Sequence, residues 1–201
     1  MRINAGAPSL CVALHGLNIK SLSLRLDYRA TSVIVESITQ SLSSLKELET
    51  LSFEVNDYLT DHMWFQTFNG LNIKSIRPTD RFGGWYMNHA ESSSRSLPSL
   101  THLETLCIAM NDETPGLWNA LHGLNIKSLS LSAKFGVLNV DRVESMLQSL
   151  SSLTQLETLS IGVIENTPGL WNALHGLNIK SLGAKFGVLN VDHVESMPQS
   201  L

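Results

Sequence analysis

Residues 15–22 read His15-Gly16-Leu17-Asn18-Ile19-Lys20-Ser21-Leu22. The same eight letters return at 122–129 and 175–182, and the variant Asn69-Gly70-Leu71-Asn72-Ile73-Lys74-Ser75-Ile76 stands at 69–76. The copies begin 54, 53 and 53 residues apart. A fixed period of that size means one supersecondary unit stacked several times, because a single unit cannot bury its apolar face alone. Between the copies runs a second string: LKELETLSF at 45–53, LTHLETLCI at 100–108 and LTQLETLSI at 153–161. Aligned on the apolar residue after Ser or Thr, the anchors are Leu22, Leu51, Ile76, Leu106, Leu129, Leu159 and Leu182. Their gaps are 29, 25, 30, 23, 30 and 23 residues, so the period is a long and a short half-unit in alternation.

Each half-unit holds a short alternating stretch. In Ile126-Lys127-Ser128-Leu129-Ser130-Leu131 and in Leu156-Glu157-Thr158-Leu159-Ser160-Ile161 the last two apolar residues are two apart. That is strand spacing, with both side chains on one face. The segments between read as helices. Val143, Met146, Leu147, Leu150 and Leu153 recur at three and four residues and line one helical face. Asp141-x-x-Glu144, Asp192-x-x-Glu195 and Asn88-x-x-Glu91 fit a capping box. In the short half, Thr114 can cap, Pro115 suits the first helical position, and Gly123 can take the left-handed stop.

Leu48…Leu51-x-Phe53-x-x-Asn56 and Leu103…Leu106-x-Ile108-x-x-Asn111 match L-x-x-L-x-L-x-x-N. On these residues the chain resembles the leucine-rich-repeat family. Its two alternating half-units are similar to the ribonuclease-inhibitor-like class, whose arrays also end many NOD-like immune receptors. The resemblance spans essentially all 201 residues. It implies an α/β solenoid, a horseshoe of about seven short parallel strands alternating with short helices. It implies a partner bound on the concave sheet. The ninth position departs from the pattern: it is Asp27, Arg81, Lys134 or Ile164 outside the two repeats just quoted. The asparagine ladder that usually satisfies buried loop backbone is therefore incomplete.

Continuous repetition argues for one quasi-linear array over 1–201. A net charge of −4 gives no basic stripe, so nucleic acid is not an expected partner. No apolar run reaches the roughly 20 residues a membrane span needs. Residues 7–14 align with 114–121 and belong to the repeat, so their apolarity is not read as a signal peptide. The two cysteines, Cys11 and Cys107, lie several half-units apart, too far for a bridge. Reduced thiols and the lack of an N-x-S/T sequon suit a cytoplasmic location.

No constellation for chemistry emerges. His15, His122 and His175 share one repeat position at a helix end, without acidic or cysteine neighbours at ligand spacing. His62, His89, His102 and His193 are scattered. The serines are periodic, lack G-x-S-x-G and a paired base, and read as solvated strand and helix positions. Gly83-Gly84 lacks the phosphate-loop pattern. Trp64, Trp118 and Trp171 fall in helical half-units and read as core. The expectation is a non-enzyme with no catalytic residue, metal ligand or cofactor.

Two rows carry information instead. The residue after the first strand hydrophobe reads Lys20, Glu49, Lys74, Glu104, Lys127, Glu157, Lys180. Parallel stacking would alternate opposite charges about 4.8 Å apart and set the register. Outward strand positions give the recognition candidates. The third is always Ser or Thr; the fifth reads Ser23, Ser52, Arg77, Cys107, Ser130, Ser160, Gly183; the seventh reads Arg25, Glu54, Thr79, Ala109, Ser132, Gly162. This face has few of the Tyr, Trp and Arg residues that anchor interfaces. The exception is the stretch Arg77–Tyr86. The candidate partner-binding residues are Arg25, Glu54, Arg77, Thr79, Arg81, Trp85, Tyr86 and Ser132.

Residues 114–129 and 167–182 are identical over all sixteen positions, which points to recent copying. The last copy is altered: Ala184 or a bulge takes the place of the second inward leucine, and Pro198 replaces Leu147. Residues 181–201 are the expected least-ordered part, since an interior helix proline costs about 3 kcal/mol. Neither end carries a polar replacement for the core face, so an uncapped piece of a longer array is expected. The leading function is a protein-interaction or ligand-sensing module, by resemblance part of an intracellular NOD-like receptor. The alternatives are a ubiquitin-ligase substrate-adaptor fragment, or a truncated gene copy without its own function.

Overall fold

The computed structural model describes residues 2–3, 13–26, 32–55, 68, 71–78, 86–87, 97–110, 115–133, 143–164 and 170–187. The strands are β1 (Arg2–Ile3), β2 (Ser21–Leu26), β3 (Thr50–Val55), β4 (Ser75–Pro78), β5 (Tyr86–Met87), β6 (Thr105–Met110), β7 (Ser128–Ala133), β8 (Thr158–Ile164) and β9 (Ser181–Gly187). The helices are α1 (Ser32–Ser43), α2 (Pro115–Leu121), α3 (Val143–Ser152) and α4 (Leu170–Leu174), with a 3-10 turn at Leu97–Ser99. The strands form one parallel sheet in the order β1-β2-β3-β4-β6-β7-β8-β9, with β5 beside β6. The sheet is not closed into a barrel. β1 and β5 have two residues each, which leaves seven longer strands, the seven that the repeats predict.

Parallel neighbours need a crossover, and a helix is its usual form. Helices α1, α3 and α4 supply it between β2 and β3, β7 and β8, and β8 and β9, and α2 supplies it between β6 and β7. The helices stack beside one another as the strands do: α2 packs on α3 and on the 97–99 turn, and α3 packs on α4.

The register follows the sequence alignment residue for residue. Leu22 pairs with Leu51, Leu51 with Ile76, Ile76 with Leu106, Leu106 with Leu129, Leu129 with Leu159, and Leu159 with Leu182. Ala184 takes the place of the missing leucine, in unbroken register with Ile161, so no bulge forms there.

The long half-units enter the sheet by a leucine staircase. After α1, Leu45 N–H donates to the Leu42 carbonyl at 2.9 Å and Leu48 N–H to that of Leu45 at 3.1 Å. The same steps occur at Leu97, Leu100 and Leu103, and at Leu150, Leu153 and Leu156. Bonds of this i to i+3 kind bring every third side chain onto one face. All nine leucines are buried. Met146 and Leu150 are buried as the helical period requires, Leu147 lies half-buried, and Trp118 is in the core. The short half-units turn on glycine: Gly16, Gly123 and Gly176 have φ of +74°, +74° and +89°. An added Cβ would meet nothing within 4 Å at any of them, so backbone conformation alone selects the residue.

Two serines depart from the expectation of solvated positions. Ser41 and Ser149 occupy equivalent places in α1 and α3 and are buried. The Ser149 hydroxyl donates to the Trp118 carbonyl of α2, tying adjacent helices. One turn on, Ser152 Oγ donates to the Ser149 carbonyl at 2.6 Å and accepts from Gly123 N–H at 3.0 Å. Ser44 does the same with Ser41 (2.7 Å) and Gly16 (3.3 Å). A buried hydroxyl must find a partner, and here the partners are the amides and carbonyls that a helix end leaves over.

Candidate interaction surface

The strand pleat sends the anchor leucines inward and their neighbours outward. The first outward row is Ser21, Thr50, Ser75, Thr105, Ser128, Thr158 and Ser181, each in register with the next. The second is Ser23, Ser52, Arg77, then Cys107, Ser130, Ser160 and Gly183. Residues of both rows are half-buried or exposed, while the anchors between them are buried up to β8. The result is a hydroxyl-rich face with a single arginine in these rows.

Arg77 is exposed, and its Nε donates to Ser75 Oγ at 3.1 Å on the same strand. The thiol of Cys107 is half-buried on β6. Burial raises its pKa above the usual thiol value; a hydrogen bond with Ser130 and the positive charge of Arg77 act the other way. Arg77, Cys107 and Ser130 thus form one electrostatically linked cluster across β4, β6 and β7. The sequence reading singled out Arg77 but not Cys107. The signal was their adjacency in the fifth-position row, which brings the Arg77 charge close enough to act on the thiol.

The other candidates fall as follows. Arg25 and Glu54 are register partners on β2 and β3, and Ser132 is the partner of Ala109 on β7 and β6. Thr79, Arg81 and Trp85 lie outside the described residues. Strand β4 stops at Pro78, which cannot donate an amide to a ladder. The chain rejoins the sheet as β5, where Tyr86 pairs with Ala109 and Met87 with Met110. Tyr86 therefore holds the seventh-position place on β6's flank that the period assigns to Thr79. The register brings Tyr86, Ala109 and Ser132 into one row.

The charged row lies just ahead of the strands and has a backbone origin. The carbonyl of Lys20 accepts both Glu49 N–H and Thr50 N–H, each at 2.9 Å. The carbonyls of Glu49, Lys74, Glu104, Lys127 and Glu157 each accept two amides of the following strand in the same way, at 2.7–3.1 Å. This fixes the charged residues in a column. Glutamates close on the lysine of the next strand: Glu49 on Lys74 at 3.2 Å, Glu104 on Lys127 at 3.3 Å, Glu157 on Lys180 at 2.9 Å. Lys20 reaches Glu49 at 3.9 Å. The close pairs thus span the short half-units, and the alternation expected at every step is uneven. These side chains are half-buried to exposed, so each pair contributes about 1 kcal/mol or less and serves mainly to penalise a misregistered strand.

His15, His122 and His175 are exposed beside the glycine turns, two units and then one unit apart. Among the described residues no three His, Cys, Asp or Glu gather closely enough to hold a metal ion. No described helix is long and apolar enough to cross a membrane. The chain matches no family model, no curated protein and no solved structure.

Proposed function

We propose that the chain is a leucine-rich-repeat solenoid of the ribonuclease-inhibitor-like kind and acts as a non-catalytic protein-interaction or ligand-sensing module. The observation that carries this reading is the division of labour within each strand. The first inward position is Leu or Ile in each of the seven longer strands and is buried up to β8, whereas the outward fifth and seventh positions change along the sheet. A stacked array whose outward strand positions vary in this way builds an extended recognition surface there. The partner contact is assigned to the region of Arg77 and Tyr86, flanked by Arg25 and Glu54 on one side and Ser132 on the other, with Thr79, Arg81 and Trp85 in the connecting segment. A cytoplasmic location and membership of an NOD-like receptor rest on the family resemblance, and the wide sequence separation of Cys11 and Cys107 suits the former.

The test is a crosslinking capture with the whole chain, read against three variants. Arg77→Glu alters the sheet face; Lys46→Glu alters an exposed turn between α1 and β3. A partner lost with Arg77→Glu and kept with Lys46→Glu supports the reading. A partner insensitive to Arg77→Glu and to Ser132→Arg removes the sheet face as the binding surface.

A further inference from the structure

The array treats charge differently in two of its rows. In the column ahead of the strands Lys and Glu alternate at every step from Lys20 to Lys180, so like charges are never neighbours. The seventh-position row breaks that rule at one end of the sheet. Arg2 of β1 is the register partner of Arg25 of β2, which sets two arginines on strands about 4.8 Å apart. Like charges directly opposite destabilise a sheet. Arg77 of β4 stands two strands from Arg25, about 12 Å away by strand geometry. It is exposed, its Nε donates to Ser75 Oγ, and among the described residues no carboxylate pairs with it. Glu54, the partner of Arg25 on its other side, is the one acidic residue in the third, fifth and seventh positions of the strands. With Lys185 in the seventh position of β9, those positions hold four cations and one carboxylate. They carry +3 on a chain of net charge −4, so the remaining residues carry −7.

We propose that the arginine end of the sheet, with Arg2, Arg25 and Arg77 on β1, β2 and β4, takes a short acidic segment of a partner protein. The inference rests on the reading of the sheet as the binding face and names the chemistry of what binds there. Arginines in register with one another work against folding, and a local rule broken with no gain in stability marks a place kept for another purpose. A carboxylate is the complementary group, because the planar guanidinium presents a fork of donors that matches its two oxygens. Ser52, the register partner of Arg77, adds a hydroxyl at the same place. The negative remainder of the chain decides the length of the partner segment. It repels a long polyanion such as a nucleic acid, and it leaves a short acidic stretch only this patch to approach.

The probe is a short synthetic peptide of alternating Glu and Ser, titrated at low salt into the isotope-labelled full chain beside its Gln-Ser counterpart and a single-stranded oligothymidylate. Saturable binding of the Glu peptide is expected, with amide shifts at β1, β2 and β4, weakening as salt is added, and with no binding of the Gln peptide. Arg25→Gln and Arg77→Gln each weaken it about fivefold, the upper range for an exposed ion pair. Glu54→Gln strengthens it, and Lys46→Gln, in the exposed turn ahead of β3, leaves it unchanged. Circular dichroism checks that each variant keeps the fold. Absence of binding, equal binding of the Gln peptide, or binding indifferent to Arg25→Gln and Arg77→Gln overturns the proposal. Tighter binding of the oligothymidylate with the same arginine dependence overturns it too, in favour of a nucleic acid. A captured protein that is lost with Arg77→Glu but is indifferent to salt and to Arg25→Gln keeps the sheet as the binding face and removes only the acidic partner.

Discussion

Leu129 and Leu182 offer an internally controlled measurement of what stacking contributes. The sixteen residues ending at each are identical, so local propensity, turn and cap chemistry cancel. What differs is the next strand. Leu129 lies between Leu106 and Leu159 and is fully buried; Leu182 has Leu159 on one side and is 45% exposed. Truncating a buried leucine loses its transfer free energy and leaves a cavity, together about 2–5 kcal/mol. Full burial of a leucine is worth about 1.5–3 kcal/mol, and roughly half of Leu182 is already wet. Water fills the gap at an edge, so Leu182→Ala costs about 1 kcal/mol. With a urea slope near 2 kcal/mol/M, Leu129→Ala lowers the midpoint by about 1–2.5 M and Leu182→Ala by about 0.5 M. Repeat arrays can lose cooperativity when one unit is weakened. Hydrogen exchange should therefore accompany the urea curve, with protection lost around β7 in the first variant and only in β9 in the second. Equal losses in the two variants would refute the reasoning, since Leu182 would then be covered in solution.

Two other predictions concern single side chains. Ser149→Ala removes a buried donor from the Trp118 carbonyl and should cost about 1–3 kcal/mol, against no more than about 0.5 kcal/mol for Ser151→Ala, whose hydroxyl meets an exposed carbonyl of its own helix; matching urea midpoints would show that the helix tie contributes nothing. Cys107 should alkylate with a half-maximal rate at a pH above that of free cysteine, because burial disfavours its thiolate. Arg77→Ala should push that pH higher still by removing a charge that favours the thiolate, and an unmoved profile would separate the two residues.

The strands, their register and the buried anchors were legible because one physical rule repeats: an apolar residue every second place in a strand, in a unit that recurs at fixed distance. The glycine turn was legible for a similar reason, since a left-handed stop has few residues to choose from. β5 was not legible. A two-residue strand is defined by where the chain returns after Pro78, and no periodicity governs that. The serines misled because a hydroxyl on a helix is usually wet. Only the neighbouring helix turns Ser149 into a buried tie, yet Ser41 recurs at the equivalent place, and that recurrence was the available clue. The charge column was legible as an alternation, but not in its uneven pairing, which depends on side-chain reach between strands.

The constancy of His-Gly-Leu-Asn-Ile-Lys-Ser-Leu now has a mechanical account. The glycine is held by its positive φ and by the serine that takes its amide, the lysine carbonyl by the two amides it receives, and the last leucine by the anchors on either side. A residue committed to joining one unit to the next cannot also vary to suit a partner. Variation must then sit where the joining constraint is relaxed, and the structure has two such places. One is the outward fifth position, where Arg77 and Cys107 interrupt a run of serines without disturbing the register. The other lies between β4, which ends at Pro78, and β5, where a tyrosine stands at a position the period would have given to a threonine. Both lie at the β4–β6 junction. The point at which the copying is least faithful is therefore also the point at which the sheet face is chemically most distinct.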